Sequence, residues 1–411
     1  MSKRILDIIL LLIPFAILSS CGHSDEPDPA PLPPAAVGRT VLVYMVADNN
    51  LGNSYNERDF DEMKRGAADG GLNGGRLIVY HNRPRTNFGQ APLLLEITEQ
   101  GVDTLKTYPD DPSVYSVEVS RMREVIADTK EIAPADDYGM VFWGHATSWL
   151  SHGDYDIDTQ DASRSYGTDR NQWISVSGLG KALEGEHFSF LYFDCCLMGT
   201  VEIAYEFRHA APFIVASPTE LPAEGMPYHL NVPKFFADGN PPVVEMAQNT
   251  FNYYEGMGSS YSCQMVVIDT SALDALADAT RAIFATQTTI PSTLSSVQRL
   301  SGSQSKYVPT SKNRCSLCCP VYDMDHYMEL LTTAGSESED TPEILATWRE
   351  ALDKTVVYKA TTVKDVFNNI LIHRYCGLGS YVVRLTDHGD LHGYKNTEWW
   401  NDVVSVAPVF N

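Results

Sequence analysis

The strongest constraint in this chain is a set of short, nearly continuous apolar runs that recur between helical stretches. Residues 40–47 read TVLVYMVA, residues 138–144 YGMVFWG and residues 188–194 FSFLYFD. Such runs, rich in β-branched and aromatic residues, lack the alternation of a half-exposed strand. Each therefore fits a strand covered on both faces. Residues 76–80 and 211–216 read the same way, and 92–97 as one arm of a hairpin. Helical spacing runs to about residue 68 and over 115–129, and a helix is expected over 197–207. This alternation across 40–217 implies an α/β fold with a mostly parallel central sheet and helices on both faces. Beyond residue 217 the pattern loosens to α+β. Helices are expected over 242–256, 271–286, 321–333 and 342–356, and strands over 263–269, 366–371 and 379–384. Periodicity leaves open whether this half extends the first sheet or packs as a subdomain.

In parallel sheets the working groups gather at the carboxyl ends of the strands. Two such ends carry chemistry here. His145 directly follows the run ending at Gly144, and Cys195 and Cys196 directly follow the run ending at Asp194. A cysteine nucleophile works as thiolate, favoured by an imidazolium or a helix N-terminus nearby. A strand-to-helix junction at Cys196 would supply the second, and His145 on a neighbouring strand the first. The 51 residues from His145 to Cys196 are close to the His-to-Cys spacing of caspases. By residue type alone, a strand-end histidine and a buried cysteine are the commoner reading, and the joint placement of the two makes the readings equal.

The surrounding residues are more specific. Phe193-Asp194-Cys195-Cys196-Leu197-Met198-Gly199 resembles the Phe-Asp-Ala-Cys-Leu-Met-Gly motif of the clostripain family of cysteine peptidases. Phe142-Trp143-Gly144-His145 resembles that family's His motif. Ser217-Pro218-Thr219-Glu220 with Gly225-Met226-Pro227-Tyr228 resembles a further stretch, and Tyr322-Asp323-Met324-Asp325 and residues 377–381 resemble later landmarks. The resemblance spans about residues 40–385. It implies a caspase/gingipain-like fold and a cysteine endopeptidase that cleaves after Arg, or Lys, through a Cys/His dyad; no required cofactor is expected. Cys196 then matches the nucleophile, Cys195 stands where the family has Ala, and His145 is the general acid/base. The backbone amides of Gly144 and Cys196 are candidate oxyanion donors. No orienting Asp is evident for His145.

Asp194 matches the family's S1 acid, where a buried carboxylate would hold a guanidinium in a bidentate contact. The competing reading is an N-cap for the helix that follows. Residues 151–173 read as an exposed polar loop beside the site, containing His152 as a rival base. Family members are matured by cleavage in this region, which makes Arg164 and Arg170 the candidate self-cleavage points. Asp154, Asp156 and Asp158 alternate as in a calcium loop, a dependence the resemblance also raises. Thr159 and Ser165 occupy the positions of an EF-hand loop's Gly and Glu, so a solvated acidic loop fits better.

Other chemistries lack a pattern. There is no H-E-x-x-H and no G-x-S-x-G, and Ser175 stands where a P-loop before Gly180-Lys181 needs glycine. Cys315, Cys318 and Cys319 fit disulfides or buried thiols better than a zinc site.

The N-terminus reads as a targeting segment. Lys3 and Arg4 precede an apolar stretch over 8–18, too short to span a bilayer. It ends in Leu18-Ser19-Ser20-Cys21, which resembles a bacterial lipobox, so 1–20 is expected to be cleaved and Cys21 acylated. Asp25-Glu26 resembles the acidic export signal of surface lipoproteins. Residues 21–38, with five prolines, read as an extended tether, and 39–411 as the peptidase region, with a catalytic core over about 39–230 and a C-terminal extension over 231–411. The expected location is a bacterial membrane, outer membrane or cell surface, reached through lipid. The formal net charge is −23, which disfavours nucleic acid and favours basic peptide partners. A monomer is expected. The rival functional class is a surface binding lipoprotein built on an inactive peptidase scaffold.

Overall fold

The computed structural model describes residues 36–84, 90–149, 165–302, 320–335, 341–383 and 392–410. Its elements fall in one compact unit, Pro34–Asn411. Strand β1 (Val37–Val46) is followed by α1 (Tyr55–Ala67), β2 (Arg76–Asn82), the hairpin β3 (Leu93–Thr98) and β4 (Gly101–Thr107), and α2 (Val119–Ile132). Next come β5 (Ala135–Trp143), the small hairpin β6 (Tyr166–Asp169) and β7 (Gln172–Ile174), α3 (Val176–Ala182), β8 (Phe190–Asp194), α4 (Val201–Glu206) and β9 (Phe213–Ala216). The remainder holds α5 (Tyr228–Phe235), α6 (Val243–Gly256), β10 (Gln264–Asp269), α7 (Leu273–Ala285), β11 (Arg299–Ser301), β12 (Val321–Asp323), α8 (Met324–Gly335), α9 (Thr341–Thr355) and β13 (Val356–Thr361).

Nine strands form one sheet in the order β13-β10-β9-β8-β5-β1-β2-β3-β4. The five central strands, β9, β8, β5, β1 and β2, run parallel, while β3, β4, β10 and β13 pair antiparallel at the two edges. The α/β expectation therefore holds, and the question left open by periodicity is answered: β10 and β13 extend the first sheet. A separate three-stranded sheet joins β11, β12 and the short strand Gly379–Ser380.

The two faces of β1 show why its sequence is continuously apolar. Leu42, Tyr44 and Val46 pack into the core on one side of the sheet, and Val41, Val43 and Met45 into the core on the other. Each is almost wholly removed from water, so neither face can carry polar residues.

Three sequence expectations are corrected. The expected helix over 197–207 begins only at Val201, because residues 195–199 form a turn instead. The helix expected from 321 begins at Met324, its first three residues being strand β12. The strand expected over 366–371 shrinks to Ile370–Leu371 because residues 366–369 form a turn, and of that expected over 379–384 the described residues pair only at Gly379–Ser380. Among the described residues no helix is long and apolar enough to cross a membrane.

Candidate active site

Chain reversal at the sheet centre creates the site. β1 leads to β2 on one side, and the chain later returns to lay β5 and β8 on the other. The ends of these strands open into the crevice that such a reversal leaves. Trp143 on β5 pairs with Asp194 on β8 at the last register position. His145 and Cys196 each lie two residues further on, side by side at the same edge.

His145 is half-buried. It follows Gly144, whose φ of +144° is readily adopted only by glycine. The ring lies 6.5 Å, centroid to centroid, from Trp173. Its Nε2 is 2.8 Å from Asn50 Oδ1, and burial holds its pKa below the ordinary histidine value.

The turn after β8 separates the two cysteines. Cys195 is buried in the core on the β1 Tyr44 side of the sheet. Cys196 is half-buried and packs against the small apolar cluster of Leu197, Leu300, Val321 and Ile372, beside Tyr375. Leu197 has φ +67°, a left-handed conformation unusual for a branched residue. Its amide donates to the Thr219 carbonyl at 3.0 Å, and the Gly199 amide to the Ser217 carbonyl at 2.7 Å. Held this way, the turn leaves four residues between the nucleophile and the short α4, so a helix dipole does not reach Cys196.

The thiol is accordingly not pre-ionised. Burial, reinforced by the Glu220 carboxylate, pushes the Cys196 pKa up to about 12. The Cys196 thiol donates weakly to the Leu221 carbonyl at 3.8 Å. Glu220 is itself buried, accepting from Ser301 Oγ at 2.5 Å and from Asn368 Nδ2 at 2.9 Å. The C-terminal half thus supplies one wall of the site. The expectation that the local setting lowers the thiol pKa is corrected, since burial outweighs any stabilising charge.

Asp194 is not an N-cap; Thr200 holds that position on α4. Its Oδ1 accepts the Met226 amide at 2.8 Å, while Oδ2 is buried without a well-aligned hydrogen bond and the buried Tyr228 hydroxyl interacts with the carboxyl. A Cβ on Gly225 would stand 2.9 Å from Oδ2, so glycine leaves space at that oxygen. Burial pushes the Asp194 pKa to about 7, against the opposing Met226 amide. Asp59 on α1 adds a second buried carboxylate whose Oδ2 accepts from Trp143 Nε1 at 2.5 Å, and burial together with Asp194 raises its pKa. Its Oδ1 also lacks a partner.

Arg170 lies in the β6–β7 turn with its guanidinium tied down. It donates to Asp169 Oδ1 at 2.9 Å and to the Pro112 and Val114 carbonyls, each at 2.6 Å, and lies over the Tyr115 ring. Cleavage after Arg170 requires these contacts to break. Cys21, His152, Asp154, Asp156, Asp158, Arg164, Cys315, Cys318 and Cys319 lie outside the described residues. The described cysteines, Cys195, Cys196, Cys263 and Cys376, are free thiols. Among the described residues no cluster of three or more His, Cys, Asp or Glu could hold a metal ion.

Sequence reading missed Asn50 and Asp59. Asn50 was visible only as a polar break after β1, and Asp59 only as one acid among several on a surface helix. Both reach the site through tertiary packing.

Known proteins give the same picture. The model of the Clostripain family matches residues 43–392. An inactive zymogen C11 protease from Parabacteroides distasonis has a similar structure, at 28% identity and a TM-score of 0.71, with 90% of this chain and 99% of that chain covered. A secreted C11 cysteine protease from Bacteroides thetaiotaomicron, solved with an irreversible peptide inhibitor, is similar at 26% identity and a TM-score of 0.70, covering 89% and 98%. Comparison with curated proteins finds no match. The chain belongs to the clostripain family and is a cysteine peptidase.

Proposed function

We propose that the protein is an endopeptidase that cleaves after basic residues, with Cys196 as nucleophile, His145 as its acid/base partner and Asp194 as the selector of the P1 cation. The observation that carries this reading is the register Trp143↔Asp194, which sets His145 and Cys196 abreast at the carboxyl ends of adjacent parallel strands.

Proton flow follows from the resting state. A thiol near pKa 12 and a histidine held below its ordinary value are both neutral at rest. The Cys196 proton therefore passes to His145 as sulfur attacks the scissile carbonyl, and the carbon–oxygen π pair moves to oxygen. Collapse of that oxyanion breaks the C–N bond, and imidazolium returns the proton to the leaving amine. Water, deprotonated by His145, then releases the acyl group. The Gly144 and Cys196 amides are the proposed oxyanion donors. No cofactor enters this chemistry.

Asp194 supports specificity for a basic side chain because a buried carboxylate met only by the Met226 amide and the Tyr228 hydroxyl is costly until a cation reaches it. The N-terminal features support a lipoprotein: residues 1–20 as a cleaved signal, Cys21 as the acylated residue and the chain from 21 to the start of β1 at Val37 as a tether at the bacterial outer membrane or cell surface. Arg164 is the proposed maturation point, with Arg170 the alternative.

Hydrolysis of a fluorogenic arginyl peptide tests the activity. Turnover by the wild type, abolished in Cys196→Ala, is expected. Absence of turnover both before and after trypsin nicking overturns it. Metabolic labelling with a fatty acid, lost in Cys21→Ala, tests the anchor.

A further inference from the structure

The histidine of such a pair has two ring nitrogens, and chemistry depends on which one carries the hydrogen. Here Nε2 lies 2.8 Å from Asn50 Oδ1. An amide oxygen only accepts, so Nε2 carries the hydrogen and Nδ1 holds the basic lone pair.

Asn50 is held in place by its own scaffold. The short 3-10 turn Asn50–Asn53 follows β1 and is capped by Asn49, whose Oδ1 accepts the Leu51 amide at 2.9 Å. Asn49 Nδ2 donates to the Val46 carbonyl at 3.0 Å and to the Thr168 carbonyl at 2.8 Å. The turn is thereby tied both to the end of β1 and to the β6–β7 hairpin. The nearby charges face one another: Arg170 Nε meets Asp169 Oδ1 at 2.9 Å and lies 3.8 Å from Asp48 Oδ2. Among the described residues, burial is the only influence that shifts the imidazole pKa. An orienting partner for the ring is thus a neutral amide rather than a carboxylate.

We propose that Asn50 is the positioning residue of His145: its side-chain oxygen fixes the tautomer with the base at Nδ1 and steadies the imidazolium formed when the Cys196 proton arrives. The inference rests on the Cys196/His145 reading. A neutral partner suits a resting pair that is itself neutral, because a carboxylate there would favour imidazolium before substrate binds. On attack, the proton leaves Cys196 Sγ for Nδ1, and Nε2–H keeps its bond to Asn50 Oδ1 throughout.

Two variants assayed on the arginyl peptide from about pH 5 to 9 test this. Asn50→Ala is expected to lower kcat on the order of 10²-fold with little change in KM. Asn50→Asp, nearly isosteric, introduces an adjacent negative charge that raises the imidazole pKa. The rising limb of kcat at saturating substrate, where Asp194 is already paired with the P1 cation, should then move up by about one pH unit. A purely structural role would lower stability without moving that limb. Wild-type kcat in Asn50→Ala, or an unshifted profile in a folded Asn50→Asp, overturns the proposal. Should Asn50→Ala fail to fold, the Asn50→Asp profile decides alone, and should both fail, NMR titration of His145 in Cys196→Ala reads the tautomer directly; a hydrogen on Nδ1 overturns it. Activity surviving in Cys196→Ala would instead sink the underlying pair. An inert Cys196→Ala with unaltered Asn50 variants would sink only this inference.

Discussion

Trp143 and Asp194 face each other across β5 and β8 at the last paired position of two parallel strands. Everything proposed for the site depends on that register, since a one-residue slip would turn the side chains of one strand to the opposite face of the sheet. It also separates the vicinal cysteines: Cys195 enters the core beneath the sheet, and Cys196 stays at the crevice. Cys196→Ala is expected to abolish peptide hydrolysis, whereas Cys195→Ala, the residue the family carries there, should retain kcat/KM within a few fold. Loss of activity in Cys195→Ala with the fold intact would reverse the assignment.

The raised thiol pKa has a direct chemical consequence. At neutral pH a thiol near pKa 12 presents ~10³-fold less thiolate than one at an ordinary value. Iodoacetamide should therefore alkylate Cys196 slowly at pH 7 and faster as pH rises. A peptide-based arginyl ketone, which recruits His145 as base, should inactivate far more rapidly. Equal rates for the two reagents at matched saturation would show that the thiol is pre-ionised.

Asp194 links cation binding to pH. Its carboxyl, buried and near pKa 7, binds a proton more tightly than an exposed aspartate. Below that pH the neutral acid attracts a guanidinium weakly, and above it the carboxylate binds. The inhibition constant of benzamidine should thus rise as pH falls through about 7, and Asp194→Asn should remove both the affinity and its pH dependence. The same shift predicts a stability effect of opposite sense. A carboxyl whose folded pKa is raised favours the folded state at low pH, and this contribution fades between the ordinary Asp pKa of about 4 and the folded value near 7. Unfolding of Asp194→Asn should accordingly show a flatter pH dependence between about pH 4 and 7 than the wild type.

The turn that presents Cys196 is tightly packed. A Cβ at Gly199 would meet the Pro218 nitrogen at 2.6 Å and the Ser217 carbonyl carbon at 2.7 Å. These are backbone atoms that cannot swing aside. Gly199→Ala should cost about 1–3 kcal/mol in chemical denaturation and also reduce kcat by displacing the nucleophile. An unchanged denaturation midpoint would contradict this packing.

Much of the site was legible in the chain because parallel strands buried on both faces write themselves as apolar runs, and their ends mark where function sits. His145, Cys196 and Asp194 all lie at such ends, and the motifs around them identified the family. The helix expected after Cys196 failed for a local reason: Leu197 adopts a left-handed conformation that cross-chain bonds to Thr219 and Ser217 compensate, and helical spacing carries no trace of those partners. The thiol pKa was misread for a related reason, because burial by Leu300, Val321 and Ile372 and the charge of Glu220 come from residues distant in the chain.

By itself the sequence determined the parallel centre of the sheet and the strand ends that carry His145, Cys196 and Asp194, since each follows from local patterning along a few residues. Only tertiary structure decided the environment of those groups. Asn50 reaches the His145 ring across 95 residues of chain, Asp59 meets Trp143 across 84, and the C-terminal half walls in the nucleophile. Such contacts depend on how elements pack in space, and no periodicity along the chain records which side chains will meet.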